Sequence, residues 1–254
     1  ARLRAGTLAT TNAAVLQSAG AIGLDATAID SRGKLDAAGD LRASSQADLR
    51  LAGVAQGGRD VTLSAGGNLE NAAQVFAGGD LVAQAQRIEN ASAGVLAAER
   101  DVAVDGTAQL VNAGRVQAGR DLQITTAGFE QTGSASAGAA LTAMIAGALE
   151  NSGNLIAKDA LRIDAGTLRS SGQLGSERAA VSLNSLGEMQ LAGVVAAATT
   201  LQATAATDLQ QAGALKAQSI ALQAGRDLAA AGTLQSTSTL DLRAQRALTI
   251  TGQA

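Results

Sequence analysis

Five aspartates occupy one recurring slot in the sequence. Asp40, Asp60, Asp80, Asp101 and Asp121 each stand just before an aliphatic residue, at steps of 20 or 21 residues. Carboxylates brought into a row could ligate a hard cation through oxygen. The competing reading is a solvated residue that opens a strand and caps a turn. Arg59, Arg100 and Arg120 sit beside three of these aspartates and would offset their repulsion. The slot continues as Ala140, Ala160, Ala180, Thr200, Ser219 and Thr239, and the calcium-repeat pattern G-G-x-G-x-D is missing. The turn-capping reading is therefore preferred, and no metal ligand is assigned.

A second row is made of amides. Asn71, Asn90, Asn112 and Asn151 share a slot that elsewhere holds Ser31, Ser170, Gln131 and Gln211. Stacked amides can hydrogen-bond from one repeat to the next, as in cross-β ladders, and that is preferred to an amide row that binds a ligand. Asn90-Ala91-Ser92 matches a glycosylation sequon, but it falls in this row and reads as coincidence. Gly58-Arg59-Asp60, Gly119-Arg120-Asp121 and Gly225-Arg226-Asp227 lack the Arg-Gly-Asp order of an integrin ligand.

The remaining chemistry is narrow. The 254 residues include no His, Cys, Trp, Tyr or Pro and only two Phe, Phe76 and Phe129. This excludes imidazole bases, thiolate nucleophiles, zinc fingers, disulfides and haem ligands, and it leaves no aromatic platform for nucleic-acid bases. A net charge of −3 argues against a nucleic-acid partner and against a polybasic membrane patch. No apolar run is long enough to span a bilayer, so no membrane insertion is expected. Carboxylates and arginines could cleave polysaccharides in a cleft, but a cleft needs long irregular loops. The repeat described next leaves none, so the chain is read as a non-enzyme with no catalytic, cofactor-binding or metal residues and no cofactor.

An internal repeat organises everything else. An aliphatic anchor recurs at Leu3, Ile22, Leu41, Val61, Leu81, Val102, Leu122, Leu141, Leu161, Val181, Leu201, Ile220 and Leu240, at steps of 19 to 21. The residue two further on is always apolar, and the one between is mostly polar. This alternation marks a strand with one buried face. A second anchor follows in every repeat but the first: Ile29, Leu49, Leu69, Ile88, Leu110, Phe129, Leu149, Leu168, Met189, Leu209, Leu228 and Leu248. Glycine usually stands four residues later, as in Gly33, Gly53, Gly114, Gly153, Gly172, Gly193, Gly213 and Gly232, and an aliphatic or alanine two after that. Glycine suits such corners through positive φ or through close packing on the next coil. Three short strands per repeat exclude a helical solenoid. Stacked in parallel about 4.8 Å apart, the repeats predict an all-β parallel β-helix of about 13 coils, forming a rod on the order of 60 Å. Phe129 is expected in the core and Phe76 on the surface. A leucine-rich repeat has an overlapping period, but its motif order does not match the two-anchor spacing.

The segments Ala118–Ala127 (AGRDLQITTA), Gly79–Ala85 (GDLVAQA) and Leu149–Leu155 (LENSGNL) resemble the haemagglutinin repeats of the filamentous-haemagglutinin family, large Gram-negative exoproteins exported by two-partner secretion. The resemblance runs from Leu3 to Leu248. It implies a right-handed β-helix, an adhesin role, a secreted or cell-surface location outside the outer membrane, and no catalytic residues. On that basis residues 1–254 are expected to be a single repetitive segment of a longer fibre: the stiff shaft of an adhesin that attaches to host cells. The alternative is the shaft of a contact-dependent growth-inhibition filament that delivers a toxin, and direct glycan binding along the rod is a third reading. The partners implied are host-cell receptors or glycans, engaged through the full-length protein, and the outer-membrane transporter during export. Open coil edges predict end-to-end association unless they are capped.

Overall fold

Alternating aliphatic and polar residues give short strands with one apolar face, and such strands are stable only when that face is covered. The computed structural model describes residues 1–253, and all regular elements among them are strands. The chain divides into two compact units, residues 1–126 and 127–254. Each is a parallel β-solenoid, and the chain makes about 12 turns in all, consistent with a right-handed parallel β-helix.

In the first unit the anchors stack as columns of like residues. Ile22 lies on Leu41, Leu41 on Val61, Val61 on Leu81 and Leu81 on Val102. The second anchors run Ile29, Leu49, Leu69, Ile88, Leu110 in the same way. A third column runs Leu16, Leu35, Ala55, Val75, Leu96, Val116. The second unit repeats the plan with Leu141, Leu161, Val181, Leu201, Ile220 and with Leu149, Leu168, Met189, Leu209, Leu228. Its third column is Ala135, Leu155, Leu174, Val195, Leu215, Leu234. From Leu16's neighbour Leu35 onward these residues are buried. Parallel pairing lays each side chain directly on its counterpart one turn away, which is why the core needs no aromatic filler.

Three expectations need correction. Leu3 is not stacked on Ile22. It pairs with Leu24, and the N–H of Gly23 bonds to the carbonyl of Ala1, so Ala1 takes the first-anchor column. The cause is the corner between Thr10 and Leu16, which is longer than the Ser31–Leu35 corner above it and absorbs the shift. The first repeat also does have a second anchor, Leu8, which pairs with Ile29. Finally, the first and second strands are not always separate. In Ile22–Ser31 and Leu161–Ser170 they form one element, and in Leu81–Asn90 and Leu141–Asn151 the single element carries a register shift where the corner falls.

Corner glycines are selected by proximity. No residue, glycine included, has positive φ among those described. A Cβ at Gly172, Gly193 or Gly213 would instead overlap the carbonyl oxygen of the corner glycine one turn before it. That approach lets one carbonyl accept two N–H groups from the next coil. Ser170 O takes Ala192 N at 2.8 Å and Gly193 N at 3.0 Å, and Ser31 O takes Ala52 N at 2.8 Å and Gly53 N at 3.2 Å. One exception has a visible consequence. Ala73 fills the glycine slot, and its N–H turns to Asn71 Oδ1 at 3.3 Å, while only Ala72 N reaches Leu51 O.

Gly193→Ala is therefore expected to cost about 1–3 kcal/mol, the usual range for overpacking. Gly20→Ala, where a Cβ meets nothing within 4 Å, should change stability by less than about 0.5 kcal/mol. Denaturant titration of the two variants checks the contrast, and equal effects would refute the packing account.

Candidate functional site

The aspartate row is brought together as a staircase of hydrogen bonds between coils. Asp60 Oδ1 accepts the N–H of Asp80 at 3.0 Å, Asp80 Oδ1 that of Asp101 at 3.2 Å, and Asp101 Oδ1 that of Asp121 at 3.2 Å. Each arginine reaches back to the coil before it. Arg59 Nε lies 3.1 Å from Asp40 Oδ1, Arg100 spans Asp80 at 2.8 Å and Asp60 at 3.5 Å, and Arg120 lies 2.6 Å from Asp101. These carboxylates are held by guanidinium and backbone N–H groups, which is the chemistry of a strap between coils. No group of three or more acidic residues among those described could hold a metal ion.

The same device recurs at a different corner. In Gly225-Arg226-Asp227 the tripeptide opens the second strand of its coil, whereas in Gly58-Arg59-Asp60 it opens the first. Arg226 still reaches back to Asp208 and Arg246 to Asp227, and Asp208 Oδ1 accepts the N–H of Asp227 at 3.2 Å. Hydrogen bonding by Arg120, Arg226 and Arg246 holds the carboxyls of Asp101, Asp208 and Asp227, respectively, below the usual carboxylate range.

The amide row forms the expected ladder, inside the core. Asn71 Nδ2 donates to Asn90 Oδ1 at 2.8 Å, and Asn90 Nδ2 donates to Asn112 Oδ1 at 2.7 Å. The same donors also reach Val95 O at 3.2 Å and Arg115 O at 3.1 Å. All three side chains are buried. Asn90 in particular has both amide atoms engaged, so its sequon is closed to modification. In the second unit the ladder has a gap. Gln131 Nε2 donates to Asn154 O at 3.1 Å, Asn151 Nδ2 donates to Ser170 Oγ at 3.0 Å, and Asn151 Oδ1 is buried with no partner.

Buried serines also act at corners, and the sequence reading missed them. Ser45 Oγ lies within donating distance of Thr27 O (2.9 Å) and Asp48 O (2.8 Å). Ser185 repeats this with Gly166 O (3.1 Å) and Glu188 O (2.9 Å). The signal was present: a serine in a slot that otherwise holds Ala26, Ala65 or Ala205, all facing inward. Phe129 is buried and Phe76 points outward, 36% exposed.

Two outcomes follow from these contacts. Asn90→Ala strips a partner from both Asn71 and Asn112 and should cost about 2–4 kcal/mol, since buried polar groups left unpaired lose about 1–3 kcal/mol each. Gln131→Asn should raise stability by about 1 kcal/mol by giving Asn151 Oδ1 a donor. Denaturant midpoints of both variants check the pair. Acid should loosen the straps. Because Asp101, Asp208 and Asp227 titrate lower when folded, their contribution is complete above the ordinary carboxylate value of 3.8 and is lost as pH falls through the lower folded values. Melting temperatures at pH 7 and pH 5 should agree, with a drop only below about pH 4, and the triple Asp→Asn variant should show a smaller drop.

A family model described as haemagglutinin repeat matches residues 1–73, 54–129, 113–193 and 194–254. No curated protein and no solved structure matches the chain. The matches leave no part of the sequence outside the repeat. The chain belongs to the haemagglutinin-repeat family.

Proposed function

We propose that this chain is shaft material of a secreted, surface-exposed bacterial adhesin, exported by two-partner secretion, which holds binding regions of the full-length protein away from the cell and so mediates attachment to host cells. The observation that carries the reading is the uninterrupted repeat. Haemagglutinin-repeat matches tile the whole sequence, and within each unit successive coils are tied together by ladder bonds and corner carbonyls, and many of them also by side-chain straps. Such a unit resists bending because any bend must break bonds along a whole face. Its outward side chains are largely spent on one another: among the described residues, 12 of the 16 arginines are in ion pairs with Asp or Glu. The haemagglutinin-repeat solenoid is a structural family, which supports reading the chain as a non-enzyme. No helix among the described residues is long and apolar enough to cross a membrane.

A shaft is defined by length and stiffness more than by particular surface residues. In the parent exoprotein, replacing these coils by an equal number of unrelated haemagglutinin repeats should leave host-cell adherence unchanged, while deleting them should reduce it. Adherence counts on cultured cells read both. Loss of adherence in the replacement would show that this segment itself carries receptor contacts. Unchanged adherence together with lost killing of competitor bacteria in the deletion would assign the shaft to toxin delivery instead.

A further inference from the structure

The third column of the first unit has a charge-free outer face at its middle. Val54, Gln74 and Val95 stand one residue before Ala55, Val75 and Leu96 of that column, and Gln56, Phe76 and Ala97 stand one residue after. These side chains turn outward on three successive coils, and none is charged. The second strands of the same coils turn Arg50, Glu70 and Glu89 outward instead. Val54 is 40% exposed, and Phe76 is the one aromatic residue at the surface, since Phe129 is buried. Each of these coils is paired to a coil on both sides, so the exposure does not arise at a coil end. A single apolar residue at a surface is ordinary. A contiguous apolar and amide patch beside a face of alternating charge marks a contact.

We propose that this face is a contact between two copies of the chain, packed sheet on sheet with their coils running in opposite directions and Phe76 at the centre. The pattern of the patch selects a second copy as the occupant. A two-fold axis along the strands, through the coil of Phe76, keeps each residue's place along its strand and exchanges the coil before with the coil after. Phe76 then meets Phe76, Gln74 meets Gln74, and Val54 meets Val95, which is the like-with-like pairing of an isologous contact. Rings pair in offset or edge-to-face geometry, and facing glutamines donate and accept reciprocally. One coil farther out, Arg115 comes over the Lys34–Asp36 pair of the second copy, whose carboxylate can accept from it. Arg115 has no ion pair of its own among the described residues. Each chain carries a net charge of −3, and on this face two copies meet without opposing their acids. The area sets the strength. Four-residue strands over five coils span roughly 300 Å² per copy, against about 800 Å² in a stable dimer. The contact is therefore weak for one pair and gains where many copies are held together. The proposal stands on this face alone and does not need the shaft reading.

The test is analytical ultracentrifugation of the 254-residue chain from micromolar to millimolar concentration, joined to cross-linking. The unmodified chain should associate reversibly towards the millimolar end. Phe76→Glu should raise the dissociation constant about tenfold or more, the usual effect of losing a central aromatic, and Phe76→Ser should weaken association in the same direction. Gln84→Glu adds the same charge on the outward face of a first strand and should leave association unchanged. The chain has no cysteine, so an introduced one reports a single place. With a short bis-maleimide, Gln74→Cys should cross-link to itself. A mixture of Val54→Cys and Val95→Cys should cross-link between the two variants more readily than either does to itself. Three results would overturn the proposal: a chain that stays monomeric at millimolar concentration, association untouched by both Phe76 variants (as contact through coil ends would be), or Val54→Cys cross-linking mainly to itself.

Discussion

The distance between one backbone strand and the next, about 4.8 Å, governs this protein. Every coil must place its carbonyls and N–H groups within reach of the coil before it, at every corner as well as along the strands. That requirement explains the glycines. At Gly172, Gly193 and Gly213 the backbone comes so close to the previous glycine carbonyl that no Cβ fits, and the same closeness lets a single carbonyl accept two N–H groups. It also explains the small core. Side chains stacked at strand spacing fill the interior with Leu, Ile, Val and Ala, and a large aromatic such as Phe129 is rare there.

The spacing acts on polar groups in the same way. A residue repeated in one slot meets its own kind one turn on, so its chemistry must be self-complementary or be complemented by a neighbour. Asparagine is self-complementary, and Asn71, Asn90 and Asn112 form a chain of amide bonds in the dry interior. Aspartate is not, because like charges would lie on one another. Its row survives on the surface because Asp60, Asp80 and Asp101 each accept a backbone N–H from the next coil and arginines reach back to neutralise the row. A carboxylate row without those arginines would repel itself, whereas an amide row needs no such help. This difference puts amides inside and acids outside.

The stacking was legible in the sequence because the period is nearly constant and the anchors are all aliphatic; Leu41, Val61 and Leu81 are vertical neighbours as their spacing requires. The misplaced Leu3 shows the limit. An apolar residue at the expected interval is not evidence of register when a corner has gained residues, and the Thr10–Leu16 corner moved the whole first coil. The aspartate and amide rows were visible as slots. Which coil each arginine would reach was not, since that depends on side-chain direction. The choice between positive φ and close packing at glycine also required coordinates, because both produce the same residue.

Gly225-Arg226-Asp227 shows that the strap belongs to corners in general. It opens a second strand, whereas Gly58-Arg59-Asp60 opens a first, yet both place an arginine one turn above an acidic side chain. Glycine allows the close approach, arginine reaches down, and aspartate offers its carboxylate to the coil to come. Each coil therefore leaves a set of acceptors that only another coil of the same kind can fill. A chain built this way can gain or lose whole repeats without changing any individual contact, and it takes up a one- or two-residue change at a corner without displacing the columns: the Asn90–Leu96 corner is two residues longer than the Asn71–Val75 corner, yet Val75 still lies on Leu96 and Leu81 on Val102. The strands set the repeat length, and the two-residue excesses at the Thr10–Leu16 and Asn90–Leu96 corners are tolerated because the inserted residues include exposed ones that turn away from the columns.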